Sequence, residues 1–342
     1  MLFSIVIPVY NVERYLDECM QSILLQIGTI ENDCEILLID DGSTDKSGEI
    51  CNRYQEKYPD IVKVFHKQNE GLLATRRFGF KKISGDYVIN CDSDDLLEKG
   101  MLKKVKDTIN QYNNPDIILI NYNSYDGKVK NVAYENIFSN EHDCIVSKEK
   151  VLKEYMTRHS IVSVCSKVCK HSCIDCNMDY KEYGRLSTGE DTLQSIEFFT
   201  NAKDFVYLNE ALYDYRLGSG MTAKFDENYY FTFKRVFKEI LKKKKNWNIK
   251  DFDILFAIKI MQTAGRAITQ SRYNKWKSIK EHRKYLKNIR KDEMLISNFK
   301  YIDKIKDDLQ TDHYILLKIL KFKWYTIIIL LLNIKNRLKK LM

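Results

Sequence analysis

A chain of 342 residues with 44% apolar side chains and only 3 Pro can bury a large core and lacks the bias of a disordered protein. No run reaches the roughly 18–20 apolar residues that cross a bilayer, and the amino terminus reads as a strand rather than an export signal. The net charge of +9 is uneven: residues 226–342 carry 29 Lys and Arg against 12 Asp and Glu, a net +17, which leaves −8 for residues 1–225 and predicts two parts, the basic one facing an anionic surface or polymer.

In chain order, Phe3 to Val9 reads as a buried strand, after which Val12, Tyr15, Leu16, Cys19, Met20 and Ile23 recur at helical spacing. Cys34 to Ile39 is a second strand, followed by Asp40 to Asp45 and a helix through about Tyr58. Ile61 to Phe65 is a third strand, Asn69-Glu70-Gly71 a turn, Leu72 to Ile83 a helix and Asp86 to Cys91 a fourth strand. This alternation predicts an α/β fold, a Rossmann-like and mostly parallel sheet flanked by helices, with ligands at the carboxyl ends of the strands. A helix over Glu98 to Tyr112 and a strand over Asp116 to Asn121 follow, and residues 122–143 have no clear period. Later elements are helices at Glu149 to Arg158 and Asp191 to Phe199, and extended pieces at Phe205 to Leu208 and Ala211 to Tyr215. Helices are then expected at Tyr229 to Lys245, Phe252 to Gln270 and Lys275 to Arg290, with a domain boundary near Lys224 separating residues 1–224 from 225–342.

The carboxyl ends of the strands carry the chemistry. Asp92, Asp94 and Asp95 follow the fourth strand, and three acids so close repel one another unless a cation sits among them. Hard oxygen ligands suit Mg²⁺ or Mn²⁺ bridging to a diphosphate; an acidic turn capping the next helix is the plainer reading. Asp40 and Asp41 after the second strand can accept the N–H of a base or a ribose hydroxyl, with Gly42 permitting close approach. Arg76 offers a planar donor fork suited to phosphate.

Taken together, Ile5-Val6-Ile7-Pro8-Val9-Tyr10-Asn11, Asp40 to Asp45, Asn69-Glu70-Gly71, Arg76 and Cys91-Asp92-Ser93-Asp94-Asp95 resemble, in order and spacing, the family-two glycosyltransferases. The resemblance implies the GT-A fold and an inverting, metal-dependent transfer of sugar from a nucleotide-diphosphate sugar, with UDP favoured. It implies a donor site in which Pro8, Tyr10, Asp40 and Asp41 hold the base, Asn69, Arg76, Asp92 and Ser93 complete the nucleotide side, and Asp94 with Asp92 ligates Mn²⁺ or Mg²⁺. Gly189-Glu190-Asp191-Thr192 is similar to the family's Glu-Asp segment, making Asp191 the base that deprotonates an acceptor hydroxyl and Glu190 the neighbour that raises its pKa. Tyr213 to Met221 resembles a segment that closes over the donor, with Arg216 and Ser219 reaching the diphosphate. The expected acceptor is a glycan or lipid-linked hydroxyl in bacterial surface-polysaccharide synthesis.

Nine Cys scattered through the elements point to a reduced, cytosolic compartment. Cys165, Cys169, Cys173 and Cys176 with His171 do not have the paired Cys-x-x-Cys spacing of a strong zinc site, so small buried thiols are the expectation. Residues 313–342 interleave Leu, Ile, Phe and Trp with Lys. This tail predicts a basic amphipathic helix at an anionic membrane surface, against the alternative of a helix docked on the protein's own core. A dinucleotide-dependent oxidoreductase is disfavoured because Pro8 to Glu13 has no Gly-x-Gly-x-x-Gly. The rival from another class is a non-catalytic basic module for nucleic acid or another anionic polymer, although no nucleic acid is expected as a partner.

Overall fold

The computed structural model describes residues 2–31, 33–138, 143–186, 188–218 and 225–341, with side chains through Asn336. They form two compact units, Met1–Leu152 with His159–Met221, and Lys153–Arg158 with Thr222–Met342. The expected boundary at Lys224 lies outside the described residues.

In the first unit the order is β1 (Phe3–Val9), α1 (Leu16–Leu24), β2 (Cys34–Asp40), α2 (Ser47–Lys57), β3 (Val62–His66), α3 (Leu72–Phe80) and β4 (Tyr87–Asn90). Every residue of β1, β2 and β4 is buried, as expected of strands covered on both faces. There follow β5 (Leu96–Leu97), α4 (Met101–Gln111), β6 (Ile117–Tyr125), β7 (Lys130–Val132), β8 (Cys144–Val146), α5 (Lys148–Thr157), which belongs to the second unit from Lys153 on, β9 (Lys167–Lys170), α6 (Glu190–Asn201) and β10 (Phe205–Arg216).

These strands make one sheet in the order β3-β2-β1-β4-β9-β6-β10-β5, with β7 on β6 and β8 on β10. The run β3-β2-β1-β4 is parallel, and so is β6 with β10. Between them β9 runs antiparallel to both β4 and β6, so the parallel character is confined to those two runs. The chain leaves β1 toward β2 and β3, then returns to its other side as β4. That reversal opens a crevice beyond Val9 and Asn90.

The two extended pieces expected around 205–215 are one strand. Beside the 9 residues of β6, β10 uses 12, with register shifts between Leu208 and Ala211 and between Ala211 and Tyr213. The helix expected from Glu98 starts at Met101, because Leu96–Leu97 pairs with β10 and Gly100 adopts φ +85.

Away from the crevice, buried Glu35 accepts from Ser4 Oγ at 2.6 Å, Lys63 Nζ at 2.7 Å and Ser84 N at 2.6 Å. Gly85 sits against the same place: an added Cβ would lie 2.6 Å from Ser4 N and 2.7 Å from Phe3 C, both backbone atoms of the central strand. Gly85→Ala is therefore expected to destabilise the first unit by about 1–3 kcal/mol, read as a lower midpoint in urea unfolding with unchanged slope.

The second unit continues with α7 (Tyr229–Trp247), α8 (Phe252–Gln270), α9 (Ile279–Arg290), α10 (Glu293–Asn298), α11 (Thr311–Lys321) and α12 (Tyr325–Leu341). Apolar α8 is its centre, packed by α7, α10 and α11, while α12 lies on α9 and α11. The helix expected from Lys275 starts at Ile279, where Ser278 Oγ caps it by accepting from Glu281 N. No helix among the described residues is long and apolar enough to cross a membrane.

The tail divides. On one side His313, Leu316, Leu317 and Leu320 of α11 and Tyr325, Ile328, Ile329 and Leu332 of α12 are buried in their own unit. Trp324, Ile327, Leu330, Leu331 and Ile334 remain exposed, so self-docking accounts for only one face.

Candidate active site

The loop after β4 alternates like a strand: Cys91, Ser93 and Asp95 are buried, whereas Asp92 and Asp94 are half-buried. Asp95 is an anchor, accepting from Tyr213 Oη at 2.7 Å and from Arg216 N at 2.7 Å. Burial, followed by the nearby charges of Asp92 and Asp94, pushes its carboxyl well above the ordinary range. Tyr213 Oη also accepts from Asp92 N at 3.0 Å, so β10 fixes the loop at two points. Beneath it Cys19 and Cys91 bring their sulfurs to 3.7 Å.

Arg76, on α3 and 1% exposed, connects this loop to the start of α6. Its Nη2 donates to Asp92 Oδ1 at 2.6 Å and its Nη1 to Asp191 Oδ1 at 2.7 Å. The sequence placed this fork on phosphate; the structure places both terminal nitrogens on carboxylates. Two half-buried acids from elements 99 residues apart in sequence thus share one cation. Burial raises the Asp191 carboxyl, and Arg76 opposes that rise. Glu190 is pushed up to about 7, by burial first and then by Asp191. Among the described residues Glu190 Oε2, Gln194 Oε1, Asn69 Nδ2 and Arg76 Nε are buried without a hydrogen-bond partner, and such atoms are costly unless a ligand or water meets them.

On the nucleotide side the strand-end acids engage the protein's own loops. Asp40 accepts from Ser43 N at 3.0 Å and sits 2.8 Å from His66 Nδ1. Asp41 accepts from Lys67 Nζ at 2.6 Å, Glu70 N at 2.9 Å and Gly71 N at 2.8 Å. Both are buried and fasten the loop after β3 to the end of β2. Pro8 is buried within β1, while Tyr10 beyond it is 45% exposed. Asn69 Oδ1 accepts from Arg185, a cation that sequence reasoning missed.

Arg216 is also engaged: its Nε donates to Asp94 O at 2.7 Å, its Nη2 to Glu18 Oε2 at 2.6 Å, and its guanidinium lies over Tyr15 and Tyr125. It holds the acidic loop through the main chain of Asp94. Ser219 lies outside the described residues. Also missed were Tyr213 and a group of half-buried tyrosines, Tyr122, Tyr134 and Tyr215, whose rings meet edge to face at 5.7 and 6.3 Å. Tyr122 pairs across the sheet with Tyr213 and so stands on the same face, the face that meets Asp95.

The cysteines of the 165–176 segment point apart. Cys165 Sγ lies 3.5 Å from Asp92 Oδ2, Cys169 is buried in β9, Cys173 Sγ is 3.8 Å from Asp116 O, and Cys176 Sγ is 3.4 Å from His171 Nε2. Among the described residues no group of three or more His, Cys, Asp and Glu is disposed to hold a metal. Asp92 and Asp94 suit a different arrangement: two carboxylates on the open side of one loop can supply part of the shell of a hard cation that keeps water and phosphate oxygens.

The sequence matches the family model for glycosyl transferase family 2 over residues 4–173. The minor teichoic acid biosynthesis protein GgaB of Bacillus subtilis (strain 168) is 31% identical over 250 residues, 70% of this chain and 27% of GgaB, so the match spans about a quarter of that protein. Glycosyltransferase GlyG of Streptococcus pneumoniae serotype 4 is 32% identical over 237 residues, 66% of this chain and 74% of GlyG. The crystal structure of S. aureus TarS 1–349 in complex with UDP-GlcNAc has a similar fold, with TM-score 0.66 at 21% identity over 95% of this chain and 89% of that one.

Proposed function

Because the chain belongs to glycosyltransferase family 2, we propose that it moves a sugar from a UDP-sugar to a hydroxyl of a glycan or lipid-linked acceptor in surface-polysaccharide synthesis, with inversion at the anomeric carbon. The observation that supports this reading is the bridge from Asp92 through Arg76 to Asp191, which puts the acid proposed for the leaving-group side and the acid proposed as the base on one guanidinium. The UDP-GlcNAc complex of the TarS neighbour supports the choice of nucleotide, the name of GlyG supports sugar transfer, and the name of GgaB supports the pathway.

In the proposed reaction Asp191 accepts the acceptor's hydroxyl proton as the new oxygen–carbon bond forms and the bond from the anomeric carbon to the diphosphate breaks, its electron pair leaving with UDP. A single displacement needs no covalent sugar–enzyme intermediate. Arg76 holds Asp191 in one orientation, and desolvation keeps that carboxylate more basic than an exposed Asp. The partly exposed tyrosines beside Tyr213 offer flat faces suited to a sugar ring of the acceptor. Mg²⁺ or Mn²⁺ on Asp94 and Asp92 would neutralise charge on the departing diphosphate.

A screen of nucleotide sugars with Mn²⁺ and with Mg²⁺, scoring nucleotide diphosphate released with and without acceptor, tests the whole reading. Failure of every sugar in both metals overturns it. Metal dependence is checked separately: EDTA is expected to reduce turnover at least about 100-fold, with recovery on adding excess Mn²⁺. Full activity in EDTA would remove the cation from the reaction.

A further inference from the structure

We propose that the outer face formed by α9, α12 and the turn before α12 is a seat for an anionic lipid bilayer. This surface belongs to the second unit and does not depend on the reading of the donor site.

From Ile327 to Leu332 α12 is apolar all round. Tyr325, Ile328, Ile329 and Leu332 face inward, whereas Ile327 (42% exposed), Leu330 (57%), Leu331 (39%) and Ile334 (55%) follow one another at spacings of three, four and seven along the outside. A water-facing helix surface is ordinarily polar, so an apolar outer stripe calls for a second, non-aqueous cover. Phe322 and Trp324, each 57% exposed with ring centroids 5.7 Å apart, extend the stripe at its amino-terminal end.

Cations lie directly beside it. Lys280, Arg283, Lys284 and Lys287, all on α9, line an open cleft of about 860 Å³. Arg283 also lines a second cleft of about 300 Å³ with Lys323, Trp324 and Ile327, which makes the basic and apolar surfaces continuous. Among the described residues Lys280, Arg283 and Lys284 take part in no ion pair. Glu281 is the acid of the cleft, and it accepts from the main-chain N–H of Lys277 at 2.7 Å.

Unpaired Lys and Arg flanking an apolar stripe that begins with Trp match a bilayer's anionic headgroups and its adjoining acyl layer. A soluble polyanion would engage the cations and leave the stripe in water. A second copy of the chain would cover the stripe and bring its own cations close to these. The stripe from Ile327 to Ile334 rises only about 10 Å along the helix, so the helix lies in the interface rather than entering across it.

Vesicles of phosphatidylglycerol mixed with phosphatidylcholine, compared with phosphatidylcholine alone, provide the test using the full chain. Co-sedimentation is expected to favour the anionic vesicles at least about tenfold and to weaken with salt. K280E/R283E/K284E should bind at least about 100-fold more weakly, since each surface cation is worth about fivefold in partition. Brominated acyl chains should quench a part of the tryptophan emission that disappears in Trp324→Phe, a readout that requires no disruptive change. The proposal is overturned by equal binding to both vesicle types, by emission that brominated lipid leaves unchanged, or by light scattering that shows a dimer dispersed by I327S/L331S.

Discussion

Asp191→Asn is expected to bind the UDP-sugar within about twofold of the parent and to transfer its sugar about 10²–10⁴-fold more slowly, the usual contribution of a positioned general base. The amide keeps the shape and can still accept from Arg76 Nη1, now 2.7 Å from Asp191 Oδ1, but it cannot take the acceptor's proton. Donor binding is read by calorimetry and transfer by acceptor-dependent UDP release. A mutant with parental transfer would move the base elsewhere. The parent's pH profile has a definite sign. The base works ionised and burial raises its pKa, so kcat/KM should fall as pH drops, through a limb displaced upward from that of an exposed Asp. With Glu190 pushed up to about 7 by burial and by Asp191, the parent profile should carry a second step near that pH, which Glu190→Gln should remove.

The second large effect belongs to Arg76→Met. It leaves Asp92 and Asp191 facing a site that has lost its shared cation, and breaking a buried pair from one side costs about 3–5 kcal/mol. The lower end, about 3 kcal/mol, is expected here because the side chains of Asp92 and Asp191 keep 24% and 28% of their surface in water. Chemical denaturation measures this. Transfer should fall by at least about 100-fold, since the base loses its orienting bond. Arg76→Lys, which keeps the charge but can reach one carboxylate better than both, separates the two contributions: near-parental stability with impaired transfer identifies orientation as the main role. If Arg76→Met retained both stability and rate, the bridge would have no part in the reaction.

The elements legible in the sequence are those whose burial is symmetrical. Strands β1, β2 and β4 read as mainly apolar runs, interrupted by Ser4 and Glu35, because both of their faces are buried, and the acids after them follow from the topology. Strand β9 was not legible: its Lys167-Val168-Cys169-Lys170 has no apolar period, and its place between β4 and β6 is set by pairing with residues far away in the chain. For the same reason the partners of Arg76 were hidden. A guanidinium suits phosphate and carboxylate equally, and only the fold shows that Asp92 and Asp191 reach it first. Asp40 and Asp41 illustrate a related ambiguity, because an acid at a strand end can serve a ligand or the adjoining loop, and here the loop amides of Glu70 and Gly71 take Asp41. Loop alternation was legible in principle, since the two-residue period separates Asp92 and Asp94 from Asp95.

The extra residues in β10 set a parity. Beside β6 the strand carries three more residues than its neighbour, and an odd surplus inverts the alternation of side chains. Tyr207 and Tyr213 are an even number apart and would share a face in a regular strand. Instead Tyr207 stands opposite Leu119 and meets Asn121, while Tyr213 stands opposite Tyr122 and meets Asp95. A single-residue deletion between Leu208 and Tyr213 would leave every residue of the acidic loop unchanged, yet would exchange the facings of Tyr213 and Asp214. Asp95 would then confront a carboxylate in place of a hydroxyl. The length of this short irregularity is thus as much a part of the site as the acids themselves.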